Sequence, residues 1–355
     1  MIQIAVLYGG QSTEHSISCI SAGAIIAELP ASRYQVYPVG ITRDGRWVEG
    51  TLDPVGGAEL PEVTAGRELR LSTSPGTRGQ FVDATTGEIT ATVDVVFPVL
   101  HGKYGEDGTI QGLLELSGIA YVGPGVLASA CGMDKEFTKK LVAAEGIPVA
   151  NGAIVHRSDN ATLTPEQREQ LGLPVFVKPA NGGSSIGVSK VDRWEDFAAA
   201  LDLAFANDTK VLVEGALIGD EVEVGVLEQP DGQLQASVPA KLNGTDDSAE
   251  GFYGFETKYL EEHVTATIPA PYSEEMTTQL KEMAITAFRA LGCKSLARVD
   301  FFVTPDGPVL NEVNTMPGFT SISMYPQVWL ASGLEYGALL DTLVTTALQS
   351  AQNNN

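Results

Sequence analysis

The chain opens with "IQIAVLYGG", an unbroken apolar run that stops at a glycine pair, followed by "STEHSISCISAGAIIAEL" with apolar positions at helical spacing. The first pattern predicts a buried strand and the second a helix packed on it. "YQVYPVGIT" and "VDVVFPVLHG" predict two more strands, and "DGTIQGLLELSG" predicts a helix with Asp107 as its N-cap. Strands alternating with helices indicate a parallel, doubly wound sheet, which takes ligands at the carboxyl ends of its strands. Residues 9–15 and 101–108 are expected at such ends. Residues 44–92 carry only short β-like runs among Gly, Pro, Thr and charge, and are read as a peripheral insertion in an N-terminal domain spanning 1–123.

From about residue 124 the pattern changes. "MDKEFTKKLVAAEG" reads as an amphipathic helix closed by Gly146, and "PVFVKPANGGSSIGVSKV" as a hairpin with a long glycine loop. "KVLVEGALIGDEVEVGVL" reads as two strands around a turn. Together they predict a small α+β domain over 124–214. A C-terminal domain over 215–355 follows, with a polar loop, a helix, the strands "SLARVDFFVT" and "PVLNEVNT", and a final helix near 333–349.

Composition narrows the function classes. Twenty-two basic against 45 acidic residues in 355 give a formal charge of −23, a field that repels nucleic acid and anionic membranes. No apolar run reaches the roughly 18 residues of a membrane span. The N-terminus turns polar too early for a signal peptide, so a cytoplasmic location is expected. Cys19, Cys131 and Cys293 show no C-x-x-C spacing and read as buried structural thiols.

With basic residues scarce, those in Gly-rich or apolar settings stand out. In "VKPANGGSSIG" Lys178 precedes the glycines, the reverse of a P-loop. A lysine at the end of an apolar strand is satisfied beside phosphate, and Ser184, Ser185 and the glycines suit a flap of N–H and hydroxyl donors. An ordinary hairpin tip is the plainer alternative. Lys135 and Lys139 share one helix face, which on its own suggests a solvated face. Glu214 ends a strand whose backbone suits an adenine edge, and Glu221 is placed to reach ribose hydroxyls; a polar linker is the other reading.

In "ARVDFF" and "LNEVNTMPG" the period of two puts Arg298 with Asp300, and Glu312 with Asn314, on single strand faces. Two carboxylates and an amide oxygen on adjacent strands suit Mg²⁺, which draws its other ligands from water and phosphate. A hydrogen-bonded polar ladder is the bland reading. Glu14 stands at a helix start and His101 at a strand end, both at the expected crevice.

In order along nearly the whole chain, "GGQSTEHSIS", "LHGKYGEDGTIQG", "MDKEFTK", "VKPANGGSSIGVSK", "FYGFETKY", "ARVDFF" and "NEVNTMPGFTSISMYP" resemble the D-alanine:D-alanine ligase family of the ATP-grasp superfamily. The resemblance implies a two-part ATP-grasp fold after the N-terminal domain, with ATP between the central and C-terminal domains. Lys135, Lys178, Ser184, Ser185 and Lys258 are implied at the phosphates, and Glu214, Gly215, Ala216 and Leu217 at adenine. Glu221 is implied at ribose, Phe252 and Phe302 against the base, and Asn311 with Glu312 beside the nucleotide. Asp300, Glu312 and Asn314 are implied to hold two Mg²⁺, with Mn²⁺ as a substitute.

The same resemblance assigns Glu14 to the ammonium of a first D-alanine, with His101 near its carboxylate and Tyr253 in the substrate pocket. Ser323 and the Met324 backbone are implied to bind the second carboxylate, and Arg298 with the Gly318 N–H to stabilise an oxyanion. Tyr259 is implied to reach Ser184 and Glu14 from a closing loop. In the family a tyrosine there goes with D-alanine as second substrate, and a phenylalanine with D-lactate. A homodimer through the first domain is expected by the same analogy. Competing readings are an ATP-grasp ligase with another second substrate and a nucleotide-binding regulator without chemistry. A dinucleotide oxidoreductase fits less well, because "YGGQSTEHS" lacks G-x-G-x-x-G.

Overall fold

The computed structural model describes residues 1–57, 60–158, 161–183, 185–244, 265–320 and 322–353. Ser184, Phe252, Tyr253, Lys258 and Tyr259, all singled out above, lie outside the described residues. Among the described residues no helix is long and apolar enough to cross a membrane.

The first sheet has strand order β3-β2-β1-β7-β8. β1 (Ile2–Gly9) leads into α1 (His15–Glu28), β2 (Tyr34–Ile41) and β3 (Trp47–Glu49). After β4 (Leu69–Leu71), β5 (Gln80–Asp83) and β6 (Ile89–Thr92) come β7 (Val95–Pro98), α2 (Thr109–Ser117) and β8 (Ala120–Tyr121). β1 pairs in parallel with β2 and β7. The unbroken apolar run is explained by burial on both faces: Ile4, Val6 and Tyr8 enter one core, and Ala5 and Leu7 the other.

Two expectations shift here. The cap of α2 is Gly108 at φ 90°, while Asp107 stands one residue earlier and accepts the Thr109 N–H at 3.0 Å. The stretch 44–92, read as peripheral, supplies β3 to the main sheet and a three-stranded sheet, β4-β5-β6, whose Phe81 is fully buried in the core beside Leu7.

The middle of the chain contains α3 (Val126–Met133), α4 (Lys135–Ala144), β9 (Gly152–His156), α5 (Pro165–Leu171), β10 (Val175–Pro179), β11 (Ser189–Val191), α6 (Phe197–Phe205) and β12 (Lys210–Gly215). The four strands form one antiparallel sheet, β11-β10-β12-β9, with α6 on its apolar face. α3 and α4, read above as part of this unit, pack elsewhere. Ala128 and Val142 share a core with Val224, Phe288 and Val299 of the C-terminal part.

That part is a six-stranded antiparallel sheet. It comprises β13 (Asp220–Glu228), β14 (Leu234–Ala236), β15 (Ala240–Asn243), β16 (Thr265–Thr267), β17 (Leu296–Thr304) and β18 (Gly307–Asn314). The helix Glu274–Ala290 covers one face. β12 and β13, expected as strands around one turn, belong to different sheets, so residues 216–219 cross between them. The last helix, Tyr336–Asn353, returns to the first sheet, where Leu339, Leu340, Leu343 and Val344 are fully buried against the core of Ile4 and Val6.

Candidate active site

A cleft of about 430 Å³ opens where the small sheet faces the large one. Lys178 projects from β10, and Glu214 to Leu217 run along the end of β12 and the crossing segment. Glu221 comes from β13, Phe302 from β17, and Asn311 with Glu312 from β18. Lys135, at the start of α4, and Ser185, in the glycine loop, complete the walls. The structure thus brings together every described residue that the family resemblance implied at the nucleotide.

The register of β17 and β18 explains how the far wall is made. Arg298 pairs with Asn314 and Asp300 with Glu312, which brings together the two strand faces read from the alternation. The pairing then slips, so that Phe301 meets Leu310 and Asn311 is the extra residue of a bulge. The bulge lets Asn311 and Glu312, neighbours in sequence, both line the cleft.

Two clusters of buried charge stand at the cleft walls and directly behind them. Arg298 donates Nε–H to Asp300 Oδ1 at 2.8 Å and Nη2–H to Asp300 Oδ2 at 2.7 Å, and its Nε lies 3.0 Å from Glu223 Oε2. Burial works against this guanidinium's charge, but Asp300 and Glu223 outweigh it and raise its pKa above the usual range. In the second cluster Glu214 Oε1 lies 2.6 Å from Lys139 Nζ as an ion pair, and Oε2 pairs with Lys178. Burial tends to raise the Glu214 pKa; Lys178 and Lys139 prevail and lower it. Lys139 is a correction: its face was expected to be solvated, yet its side chain is only 9% exposed.

Asp300, Glu312 and Asn314 were expected to hold metal. Asn314 Nδ2–H donates to Asp300 Oδ2 at 2.9 Å, which fixes the amide's orientation beside the carboxylate. Among the described residues no group of three or more His, Cys, Asp or Glu has metal-holding geometry. Two carboxylates and an amide oxygen nevertheless fit a hard cation that takes its remaining ligands from phosphate and water.

A second, smaller pocket of about 60 Å³ shares Lys135, Gly182, Gly183 and Glu312 with the cleft. Glu14, His101, Glu106, Arg298, Asn314 and Gly318 also line it. Glu14, placed by the start of α1, is buried. His15 behind it is structural: its Nδ1 meets Gly10 O at 2.6 Å and its Nε2 accepts the Val63 N–H at 2.9 Å. His101 Nδ1 lies 3.1 Å from Met316 O and Nε2 lies 3.3 Å from Ser21 Oγ. The Met316 carbonyl can only accept, so Nδ1 carries the proton. Burial lowers the His101 pKa, despite the opposing fields of Glu14 and Met316.

Glu106 was missed by the sequence reading, although it lies in a quoted motif. Its Oε2 accepts the Gly102 N–H at 2.8 Å and its Oε1 the Met316 N–H at 3.0 Å, joining the first domain to the loop that carries Gly318. Burial, with the charge of Glu14 nearby, pushes its pKa up to about 8. A carboxylate between glycines, next to a strand-end histidine, was the available signal. Ser323 sits just behind this wall. Its Oγ accepts the Thr320 N–H at 3.0 Å, and a Cβ on Gly318 would come within 2.8 Å of it. Met324 begins the helix Met324–Ala331 and packs on the first core.

Residues 3–124 match the family described as D-ala D-ala ligase N-terminus, and residues 141–345 the one described as D-ala D-ala ligase C-terminus. The chain is 60% identical over 353 residues to the D-alanine–D-alanine ligase of Corynebacterium diphtheriae, covering 98% of this chain and 95% of that protein. Among solved structures, it resembles the D-alanine-D-alanine ligase from Coxiella burnetii at 35% identity with a TM-score of 0.84, covering 99% of this chain and 95% of that one. It also resembles the VanG D-Ala:D-Ser ligase from Enterococcus faecalis at 36% identity and TM-score 0.83, covering 98% and 99%. Matches to both halves of the family, with identity sustained along nearly the full length of a relative, establish that this chain belongs to the D-ala D-ala ligase family and has its ATP-grasp fold.

Proposed function

We propose that the chain joins two D-alanines into D-alanyl-D-alanine, the unit used in peptidoglycan precursors, with ATP cleaved to ADP and phosphate. The observation that carries this is the meeting of two pockets at Lys135 and Glu312: one long and lined with lysines, the other small and lined by Glu14, His101 and Arg298. ATP fits the first, with adenine against residues 214–217 and Phe302, ribose at Glu221, and phosphates toward Lys178 and Lys135. The first D-alanine fits the second, its ammonium on Glu14 and its carboxylate turned toward Arg298 and His101.

In the first step a carboxylate oxygen of that D-alanine attacks the γ-phosphorus, the bond to the β,γ-bridging oxygen breaks, and ADP leaves. This needs positioning and charge neutralisation more than covalent help. Lys135 and Lys178 neutralise the nucleotide, and Arg298 faces the acyl phosphate. In the second step the free amine of the second D-alanine attacks the acyl carbon and phosphate leaves. The Gly318 N–H and Arg298 stabilise the developing oxyanion, and Ser323 with the Met324 backbone holds the incoming carboxylate. Asp300, Glu312 and Asn314 are the residues for Mg²⁺, whose chemistry is to neutralise charge on the phosphate oxygens. Ser184, Phe252, Tyr253, Lys258 and Tyr259 keep the roles implied by the family resemblance. A cytoplasmic location and a homodimer through the first domain complete the proposal.

The test is D-alanine-dependent phosphate release from MgATP, with products identified by mass when D-lactate or D-serine competes with D-alanine. The dipeptide D-alanyl-D-alanine is expected to dominate. No phosphate release overturns the ligase reading, whereas a dominant depsipeptide or serine product overturns the second substrate alone.

A further inference from the structure

The two lysines on one face of α4 do different things. Lys135 Nζ donates to the Gly182 carbonyl at 2.6 Å, at the mouth of the cleft. Lys139, one turn further on, is turned away from it and lies at Glu214, whose other oxygen is taken by Lys178. All three side chains are buried to within 5–14% exposure. Lys178 and Glu214 line the cleft; Lys139 does not.

One carboxylate is therefore shared by two ammonium groups. Burial lowers the Lys139 pKa and the Glu214 carboxylate opposes that shift; with Lys139 charged, the cluster has one positive charge in excess, which can be expressed only toward the cleft, since Lys139 is enclosed behind it. Without Lys139, Lys178 and Glu214 would form a closed neutral pair. A lysine fully paired with a buried carboxylate has little attraction left for phosphate, since Coulomb interactions in such a setting are poorly screened. We propose that Lys139 is a positioning residue for nucleotide phosphate: by holding Glu214 from behind, it keeps Lys178 electrostatically available to the phosphates. The proposal rests on the reading of this cleft as the ATP site.

The same geometry accounts for why Glu214 is present. A carboxylate fixed between two lysines holds both side chains in place and offsets the cost of burying two like charges side by side. Its backbone continues into the crossing segment 216–219, so the cluster also ties the base-binding end of the cleft to its phosphate-binding end.

The experiment compares binding of ADP with binding of adenosine, which has no phosphate, by calorimetry in the presence of Mg²⁺. Lys139→Met keeps the volume of the side chain and removes its charge. It is expected to weaken ADP by about tenfold, the scale of one lost charge-assisted contact, and adenosine by less than about twofold. Adding Glu214→Gln to Lys139→Met restores the single excess charge and is expected to recover most of the ADP affinity. A parallel loss of ADP and adenosine affinity, unchanged ADP affinity, or no recovery in the double variant overturns the proposal. If Lys139→Met does not fold, Lys139→Gln makes the same comparison. Lys178→Met separates the two levels of inference. If it leaves ADP binding unchanged, the placement of the phosphates fails; if it is defective while Lys139→Met is normal, only the role of Lys139 fails.

Discussion

Glu106 shows how one residue can link recognition to folding. Its carboxylate accepts N–H groups from both walls of the small pocket, and its pKa is pushed up to about 8 from an ordinary value of 4.5. A raised folded-state pKa means that the native protein holds this proton more tightly than the unfolded chain does. The contribution is complete below about pH 4.5 and is lost as pH rises through about 8. Glu106→Gln cannot ionise, so the stability gap between wild type and variant should shrink as pH rises across that window in urea titrations. A constant gap would remove the ionisation argument. The variant also weakens one backbone contact, and its D-alanine KM is expected to rise more than its ATP KM. Arg298 presents the opposite case, a buried cation held by Asp300 and Glu223. Arg298→Ala strands both carboxylates, at a cost of roughly 3–5 kcal/mol. It should lower the midpoint of thermal unfolding as well as abolish turnover; a variant of unchanged stability would contradict the pairing described.

At the scale of elements, the cleft depends on how α4 joins two sheets. Asp134 caps that helix, accepting the N–H groups of Glu136 and Phe137, and also accepts from Lys210 at 2.5 Å on β12. Glu136 accepts from the same lysine at 2.8 Å, and the Lys135 N–H reaches Ala180 O at 2.9 Å. The helix is buried on the large sheet but pinned to the small one. Asp134→Ala loses a cap worth about 1 kcal/mol and the Lys210 contact as well, so it should lower the urea midpoint and raise the ATP KM together. An altered midpoint with normal ATP KM would show that the pin does not shape the cleft. The helix itself was readable in "MDKEFTKKLVAAEG" as an amphipathic segment, and the strand faces of Arg298, Asp300, Glu312 and Asn314 followed from alternation alone. The destination of α4 was not readable, because amphipathic spacing gives a buried face without naming what buries it. The split of β12 and β13 between sheets was hidden for the same reason: a short Gly-containing connection looks alike whether it reverses a strand or changes sheet.

Across the whole molecule, the chain closes on itself. The final helix buries Leu339, Leu340, Leu343 and Val344 against the first sheet, and Arg33 and Tyr34 both bond Asp341. Leu343→Ala should cost about 2–5 kcal/mol, read as a lower thermal midpoint, since a fully buried leucine leaves a cavity. A negligible change would mean that the helix adds little to the first core. The overall charge of −23 repels a polyphosphate at long range, yet Lys135, Lys139, Lys178 and Arg298 converge around one cleft and its adjoining pocket. Lys178 and Arg298 stood out in the sequence by their settings, and Lys135 through the family resemblance; Lys139 was hidden because a lysine beside another on a helix usually faces water. The central claim is that the first D-alanine attacks ATP through its own carboxylate. The most direct measurement uses D-alanine labelled with ¹⁸O in that group and follows the released phosphate by mass. One ¹⁸O per phosphate is expected, carried over when the acyl phosphate is broken by the second amine; phosphate without label would contradict the account.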